Sequence, residues 1–155
     1  MSQATSQQCV ITRIFDAPRE LVYRAFVDPD QLAQWWGPDG CWLPRETVES
    51  DVRVGGHQRF VMMVTGRPEI RVQNDITFSR VVENELLVGD MLVSGAPDQP
   101  DGIMRNTLRL EFHDEPGGKT RLELRQGPFE PTVAGEVHDA WLESFGKLSG
   151  LFGLR

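Results

Sequence analysis

The apolar positions of this chain keep helical spacing near its two ends and strand spacing between them. Near the start, CVITRIF (residues 9–15) is rich in alternating β-branched residues and predicts a strand. Asp16-Ala17-Pro18 then supplies a helix start, a capping residue followed by a proline whose fixed φ suits the first turn. Leu21, Val22, Ala25 and Phe26 fall on one helix face. Asp28-Pro29 repeats the start signal, with Gln31 three residues after Asp28. The second helix is short. It carries Leu32, Trp35 and Trp36 and stops at Gly37-Pro38.

From 44 to 129 the period falls to two. Phe60, Met62 and Val64 share one face, as do Ile70, Val72, Ile76 and Phe78, then Met104, Leu108, Leu110 and Phe112, then Leu122 and Leu124. Arg, Glu, Asp, Gln and Thr occupy most of the intervening positions of the last three runs. Such alternation predicts an antiparallel sheet, dry on one face and wet on the other. HDEPGGKT (113–120) reads as a hairpin turn, and SGAPDQPDG (94–102) as a longer Gly/Pro loop. From 132 to 153 helical spacing returns, with Val137, Trp141, Phe145, Leu148 and Phe152 in one stripe. Gly135, Gly146 and Gly150 interrupt that helix, and a close approach by another backbone is the expected reason.

The order is strand, two short helices, about six strands, one long helix. A sheet with one apolar face must cover it. The expected fold is α+β, a curved antiparallel sheet of six or seven strands wrapped around the C-terminal helix. Residues 8–153 are expected to form one domain, with residues 1–7 a disordered polar tail.

Composition narrows the function. A chain of 155 residues is long enough for one substantial core. Its formal net charge of -7 argues against nucleic acid and against an anionic membrane surface. No signal peptide and no apolar run long enough to span a bilayer is found, so no membrane insertion is expected. Cys9 and Cys41 are too few for a disulfide framework and suit a reducing compartment. The expected location is cytoplasmic.

Three blocks carry a resemblance: FDAPRELVYRAFVDPDQLAQWWGP (15–38), ESDVRVGGHQRFVM (49–62) and HDAWLESFGKLSGLF (138–152). Together they resemble the activator-of-heat-shock-protein-90-ATPase-homologue-like family, part of the SRPBCC superfamily of START-like, birch-pollen-allergen-like helix-grip folds. The resemblance implies a curved sheet around a long C-terminal helix, with a cavity between them that often accepts an apolar small molecule. The eukaryotic chaperone activator that names the family has an additional N-terminal domain. This chain has no room for one, so chaperone contact is not expected, and fold alone does not give function.

Candidate chemistry is sparse. There is no phosphate loop, dinucleotide fingerprint or Gly-x-Ser-x-Gly elbow. His57, His113 and His138 are scattered without partners at metal-ligand spacing, so no metal, no cofactor and no catalytic residue is expected. Glu46, Glu49 and Asp51 cluster before Gly55-Gly56, and a solvated strand face outweighs an acid–base pair there. Asp51 and Arg53 match the family's D-x-R-x-GG pattern and are expected to position the turn.

The adjacent Trp35 and Trp36 admit two readings, core aromatics or the rim of a cavity mouth under a Gly37–Gly40 lid. Helical neighbours point about 100° apart, so the two are not expected to bury equally. Asn74 and Asn106 stand among apolar residues on the even faces of two strands. A buried amide needs partners, either a neighbouring protein group, water or a ligand. Met62, Met63, Met91 and Met104 add adaptable apolar lining. The candidate cavity residues are Trp35, Trp36, Phe60, Met62, Asn74, Ile76, Met91, Asn106, Leu108, Trp141 and Phe145.

The leading expectation is non-catalytic binding of an apolar or amphipathic small molecule. A cyclase-, aromatase- or hydrolase-like enzyme in the same cavity stays open, as does a protein-interaction domain or homodimer working through the outer sheet face.

Overall fold

The alternating middle of the chain forms one sheet, and the helical ends close over its apolar side. The computed structural model describes residues 6–96 and 99–152. Its elements are β1 (Gln7–Phe15), α1 (Arg19–Val27), α2 (Pro29–Trp35), β2 (Cys41–Trp42), a 3-10 turn (Arg45–Thr47), β3 (Glu49–Ser50), β4 (His57–Val64), β5 (Arg67–Val82), β6 (Leu86–Ala96), β7 (Gln99–Glu115), β8 (Lys119–Phe129) and α3 (Pro131–Phe152). The polar tail expected at the N-terminus lies, for residues 1–5, outside the described residues.

The sheet order is β1-β8-β7-β6-β5-β4-β2, with β3 also on β4 and every pair of neighbours antiparallel. Strands β4 to β8 form a meander, and β1 returns to pair with β8. Irregular register at Met63/Val64, Phe78/Arg80 and Ser94/Ala96 curls it. At the second of these Gly89 is required, because a Cβ there would sit 2.6 Å from Ile76 Cγ2.

The apolar positions meet in cross-strand rows on the concave face. Gln58, Ile76, Met91 and Asn106 form one row, and Phe60, Asn74, Val93 and Met104 the next. Phe15, Phe60, Phe112, Leu122, Leu124 and Ile76 are fully buried, with Trp35 from α2 and Phe145 from α3. α3 packs on β1, β8 and α2 rather than over the middle of the sheet. That offset leaves space above β4 to β7.

The convex face is polar and ion-paired. Arg59 meets Asp75 at 3.2 Å, Arg109 meets Glu111 at 2.9 Å, and Arg121 bridges Glu115 and Glu123. Met63 belongs to this face, opposite Arg71 and beside Trp42, and does not line the interior as expected. Its odd position places it outward, and the apolar run MMV hid the alternation.

Two further expectations are corrected. The stretch 94–102 is mostly strand: β6 continues to Ala96, which pairs with Gln99 of β7, and residues 97–98 lie outside the described residues. Gly95, at φ +83, absorbs the kink that the composition suggested was a loop. Among the described residues outside the helix's own backbone, no heavy atom lies within 4 Å of where a Cβ would stand on Gly135, Gly146 or Gly150, so none of their backbone approaches closely.

At the first helix the N-cap is Pro18, with no side-chain capping bond. Asp28 does cap α2, accepting from the Asp30 N–H at 3.0 Å, while Gln31 Nε2 donates to the Asp28 carboxylate at 3.1 Å. The turn after β3 behaves as expected from D-x-R-x-GG. Arg53 Nε lies 3.0 Å from the Asp51 carboxylate, and a Cβ on Gly56 would collide with the Asp51 carbonyl.

Candidate functional site

The space beside α3 is a cavity of about 180 Å3. Its floor is the concave face: Met62 of β4, Asn74 of β5, Met91 and Val93 of β6, Met104 and Asn106 of β7, and Gln126 and Phe129 of β8. Val137, Ala140, Trp141 and Ser144 of α3 form one side, and Trp36, Gly37 and Pro38 close the end. A second space of about 190 Å3 shares Val93, Met104, Val137 and Ala140 with the first and continues toward Ala96 and Gly102, with the carboxylate of Glu136 on its border.

Six of the expected residues come together on this wall: Trp36, Met62, Asn74, Met91, Asn106 and Trp141. Ile76 and Leu108 line a neighbouring void of about 10 Å3 beyond Trp36, too small for a ligand. Trp35, Phe60 and Phe145 are solid core. Phe60 backs Trp36 with ring centroids 4.9 Å apart, and Phe145 backs Trp141 at 5.3 Å.

The tryptophan pair therefore divides its work, although both rings are buried, at 0% and 9% exposure. They are unequal as expected, Trp35 sealed and Trp36 bordering the cavity, but the difference is small because the helix ends between them. Trp36 is the C-cap, with an extended ψ of 135°, and its ring swings to meet Trp141 at 4.8 Å. Trp35 stays helical and packs on Phe26 at 4.8 Å.

A hydrogen-bonded chain crosses the cavity wall. Trp141 Nε1–H donates to Gln126 Oε1 at 2.7 Å, and Gln126 Nε2 donates to Asn106 Oδ1 at 2.9 Å. Asn106 Nδ2 is buried and meets no acceptor among the described residues. Asn74 Nδ2 donates to the carbonyl of Val72 at 3.1 Å, and Ser144 Oγ donates to the Ala140 carbonyl at 2.9 Å. Gln126 was missed in the sequence, although it continues the even face of Leu122 and Leu124 as Asn106 continues that of Leu108.

The turn at 37–41 is fastened to α3. The Asp39 N–H donates to Glu143 Oε1 at 2.8 Å, and Lys147 Nζ approaches the carbonyls of Pro38 and Cys41 at 3.4 and 3.5 Å.

No Asp, Glu, His, Lys, Arg or Cys is among the described residues lining the main cavity. Burial raises the thiol pKa of both Cys9 and Cys41, so neither is an activated nucleophile. Glu46 and Glu49 are exposed on the outside, away from this wall. One cluster that sequence spacing did not reveal is on the convex face, where His113 Nε2 lies 3.2 Å from Glu111 and 3.4 Å from Glu123. Both carboxylates are already held by Arg109 and Arg121. Glu123 comes from the neighbouring strand, which is why no motif announced it.

The profile of the family described as activator of Hsp90 ATPase homolog 1-like protein matches residues 16–153. The chain belongs to this family. No curated protein matches the sequence. Among solved structures, the AHSA1 protein from Silicibacter pomeroyi is similar with a TM-score of 0.79 at 22% identity, over 96% of this chain and 99% of that one. A Rhodobacter sphaeroides protein gives 0.78 at 18% identity over 99% and 98%, and one from Chromobacterium violaceum 0.77 at 24% over 93% and 95%. At these identities the likeness establishes the curled helix-grip fold. It leaves function to the site.

Proposed function

We propose that this protein binds an apolar or amphipathic small molecule in the cavity between the sheet and α3, and performs no covalent chemistry on it. One observation carries the reading: a cavity of about 180 Å3, walled by methionines and tryptophans, that opens between core layers packed solid on either side. A cavity of roughly 150 Å3 with an apolar lining is enough to hold benzene. The four movable thioether and indole walls Met62, Met91, Met104 and Trp36 suit irregular apolar shapes.

The enzyme reading is the weaker one. General acid–base catalysis needs a titratable group within hydrogen-bond reach of the reacting atom, and the main cavity wall offers none among the described residues. The interaction-domain reading is weakened by the ion pairs Arg59–Asp75, Arg109–Glu111 and Arg121–Glu123 that run across the convex face, with exposed apolar side chains such as Trp42 and Ile14 set among polar neighbours.

The test is intrinsic tryptophan fluorescence, titrated with one- and two-ring aromatics and short aliphatic chains. Trp36→Phe and Trp141→Phe should each change the signal, and Ala140→Phe should fill the space and abolish binding with the fold intact. Saturable binding unaffected by Ala140→Phe would move the ligand elsewhere, and no binding at all would return the wall to plain core.

A further inference from the structure

We infer that the cavity selects a neutral ligand carrying a hydrogen-bond acceptor, such as a ketone, ester or amide carbonyl on a one- or two-ring body, and presents Asn106 Nδ2–H to it. The inference rests on the ligand-binding reading above and narrows it. It follows from which atom of the wall chain is left over.

An amide side chain can be turned end for end, so its free atom depends on its partners. Here the chain begins at a group that cannot be reversed. The indole N–H of Trp141 is a donor and never an acceptor. Gln126 must therefore face it with Oε1, at 2.7 Å. That turns Gln126 Nε2 toward Asn106 at 2.9 Å, and Asn106 must accept with Oδ1. The remaining atom is Nδ2, a donor. Reversing both amides would keep a bond between Gln126 and Asn106 but set Gln126 Nε2 against the indole N–H, two donors face to face with no acceptor for either.

Asn106 is 7% exposed, and its Nδ2 has no acceptor among the described residues. Met91 stands directly across the strand pair from it, and Met104 two residues before it on the same face. Both are unbranched and polarisable, so they can shift to admit a ligand oxygen. Buried donors are nearly always satisfied, and a ligand that supplies the acceptor gains what an isosteric hydrocarbon does not.

Charge narrows the class further. No cationic side chain is on the wall of either space among the described residues, and the one carboxylate, Glu136, borders the adjoining space, so an ionised carboxylate would be buried without a counter-charge. The acceptor is therefore a neutral oxygen rather than a fatty-acid head group. The size of the cavity, about 180 Å3, sets the scale at one or two rings.

Acetophenone and α-methylstyrene test this. They share a shape and differ by C=O against C=CH2. Their dissociation constants are measured on wild type and on Asn106→Leu, so that differences in water solubility cancel in the cycle. The ketone-over-alkene preference should fall about tenfold or more in Asn106→Leu. Benzoate at pH 7 should bind wild type more weakly than acetophenone. An unchanged preference with both probes bound overturns the acceptor inference and leaves the ligand-binding reading intact. Failure of wild type to bind any of the three overturns both. If Asn106→Leu does not fold, the carbonyl stretch of acetophenone bound to wild type decides. A position below that in alkane solvent supports donation to the carbonyl, and the alkane position overturns it.

Discussion

The indole N–H of Trp35 donates to the carbonyl oxygen of Ala25 at 2.9 Å. In a continuing helix that carbonyl would receive the N–H four residues on, but residue 29 is proline and has none. The same need recurs along the end of α1. The Phe26 carbonyl accepts from Gln58 Nε2 at 2.7 Å, and the Val27 carbonyl from Ser50 Oγ at 2.7 Å. A helix C-terminus leaves carbonyls without partners, and here side chains from α2, β4 and β3 supply them. The two-helix corner is thereby locked to the sheet beside the end of the cavity that Trp36 closes.

Trp35→Phe should therefore destabilise by about 2 kcal/mol, because it removes the donor and leaves a buried carbonyl unpaired. Trp36→Phe should cost less, since Trp36 borders open space and is the C-cap. Urea denaturation of both variants checks the order. Equal losses would mean that the indole bond contributes little.

This corner shows where sequence reasoning reaches its limit. Asp28-Pro29 announced the second helix, and the capping bond from Asp28 is present. The same proline orphans the Ala25 carbonyl, yet nothing local says that Trp35 answers it, ten residues away. Strands β5, β7 and β8 were legible because their alternation is strict, and the long helix because its stripe is continuous. The cavity was not, because a wall residue and a core residue obey the same period. Ile76 and Met91 pair across adjacent strands, yet only Met91 lines the main cavity. Which one does depends on where α3 lies, a matter of tertiary packing.

The glycines of α3 give a stability prediction. Gly146 and Gly150 are exposed and helical, and a methyl group added at either would meet no heavy atom of the described residues within 4 Å outside the helix's own backbone. Each Gly→Ala change should stabilise by about 0.5–1 kcal/mol through the unfolded chain and helix propensity. Thermal unfolding should move up by about 2–4 °C per kcal/mol gained in a chain of this size. A fall in the midpoint would show that the helix needs those glycines for a reason outside its own packing.

Acid should weaken the convex face through Glu111. Its carboxyl titrates below the ordinary 4.5, first because Arg109 hydrogen-bonds it and then through His113, against the opposing effect of partial burial. A depressed folded pKa gives stability that is present above the unfolded value and lost as pH falls through the folded one. The contribution is about 1 kcal/mol or less, because the pair is partly exposed. Wild type should exceed Glu111→Gln in stability at pH 6, and the gap should close as pH drops below 4.5. A gap independent of pH would assign the effect of the substitution to packing.

The turn that closes one end of the cavity should loosen when its ties to α3 are cut. Glu143 and Lys147 lie one helical turn apart, and they hold the turn by opposite means, one accepting from the Asp39 N–H and the other reaching the Pro38 and Cys41 carbonyls. Neither lines the cavity, so their loss removes fastening without altering its wall. In Glu143→Ala/Lys147→Ala the Asp39 amide should exchange with solvent about fivefold faster, the equivalent of one hydrogen bond of roughly 1 kcal/mol. Acetophenone that passes this end of the cavity should then enter and leave faster with little change in its dissociation constant, because loosening the turn speeds both directions alike. Unchanged exchange at Asp39 would mean that the turn's own Gly37 and Pro38, beside Met62 and Trp36 on the cavity wall, hold it in place without the ties.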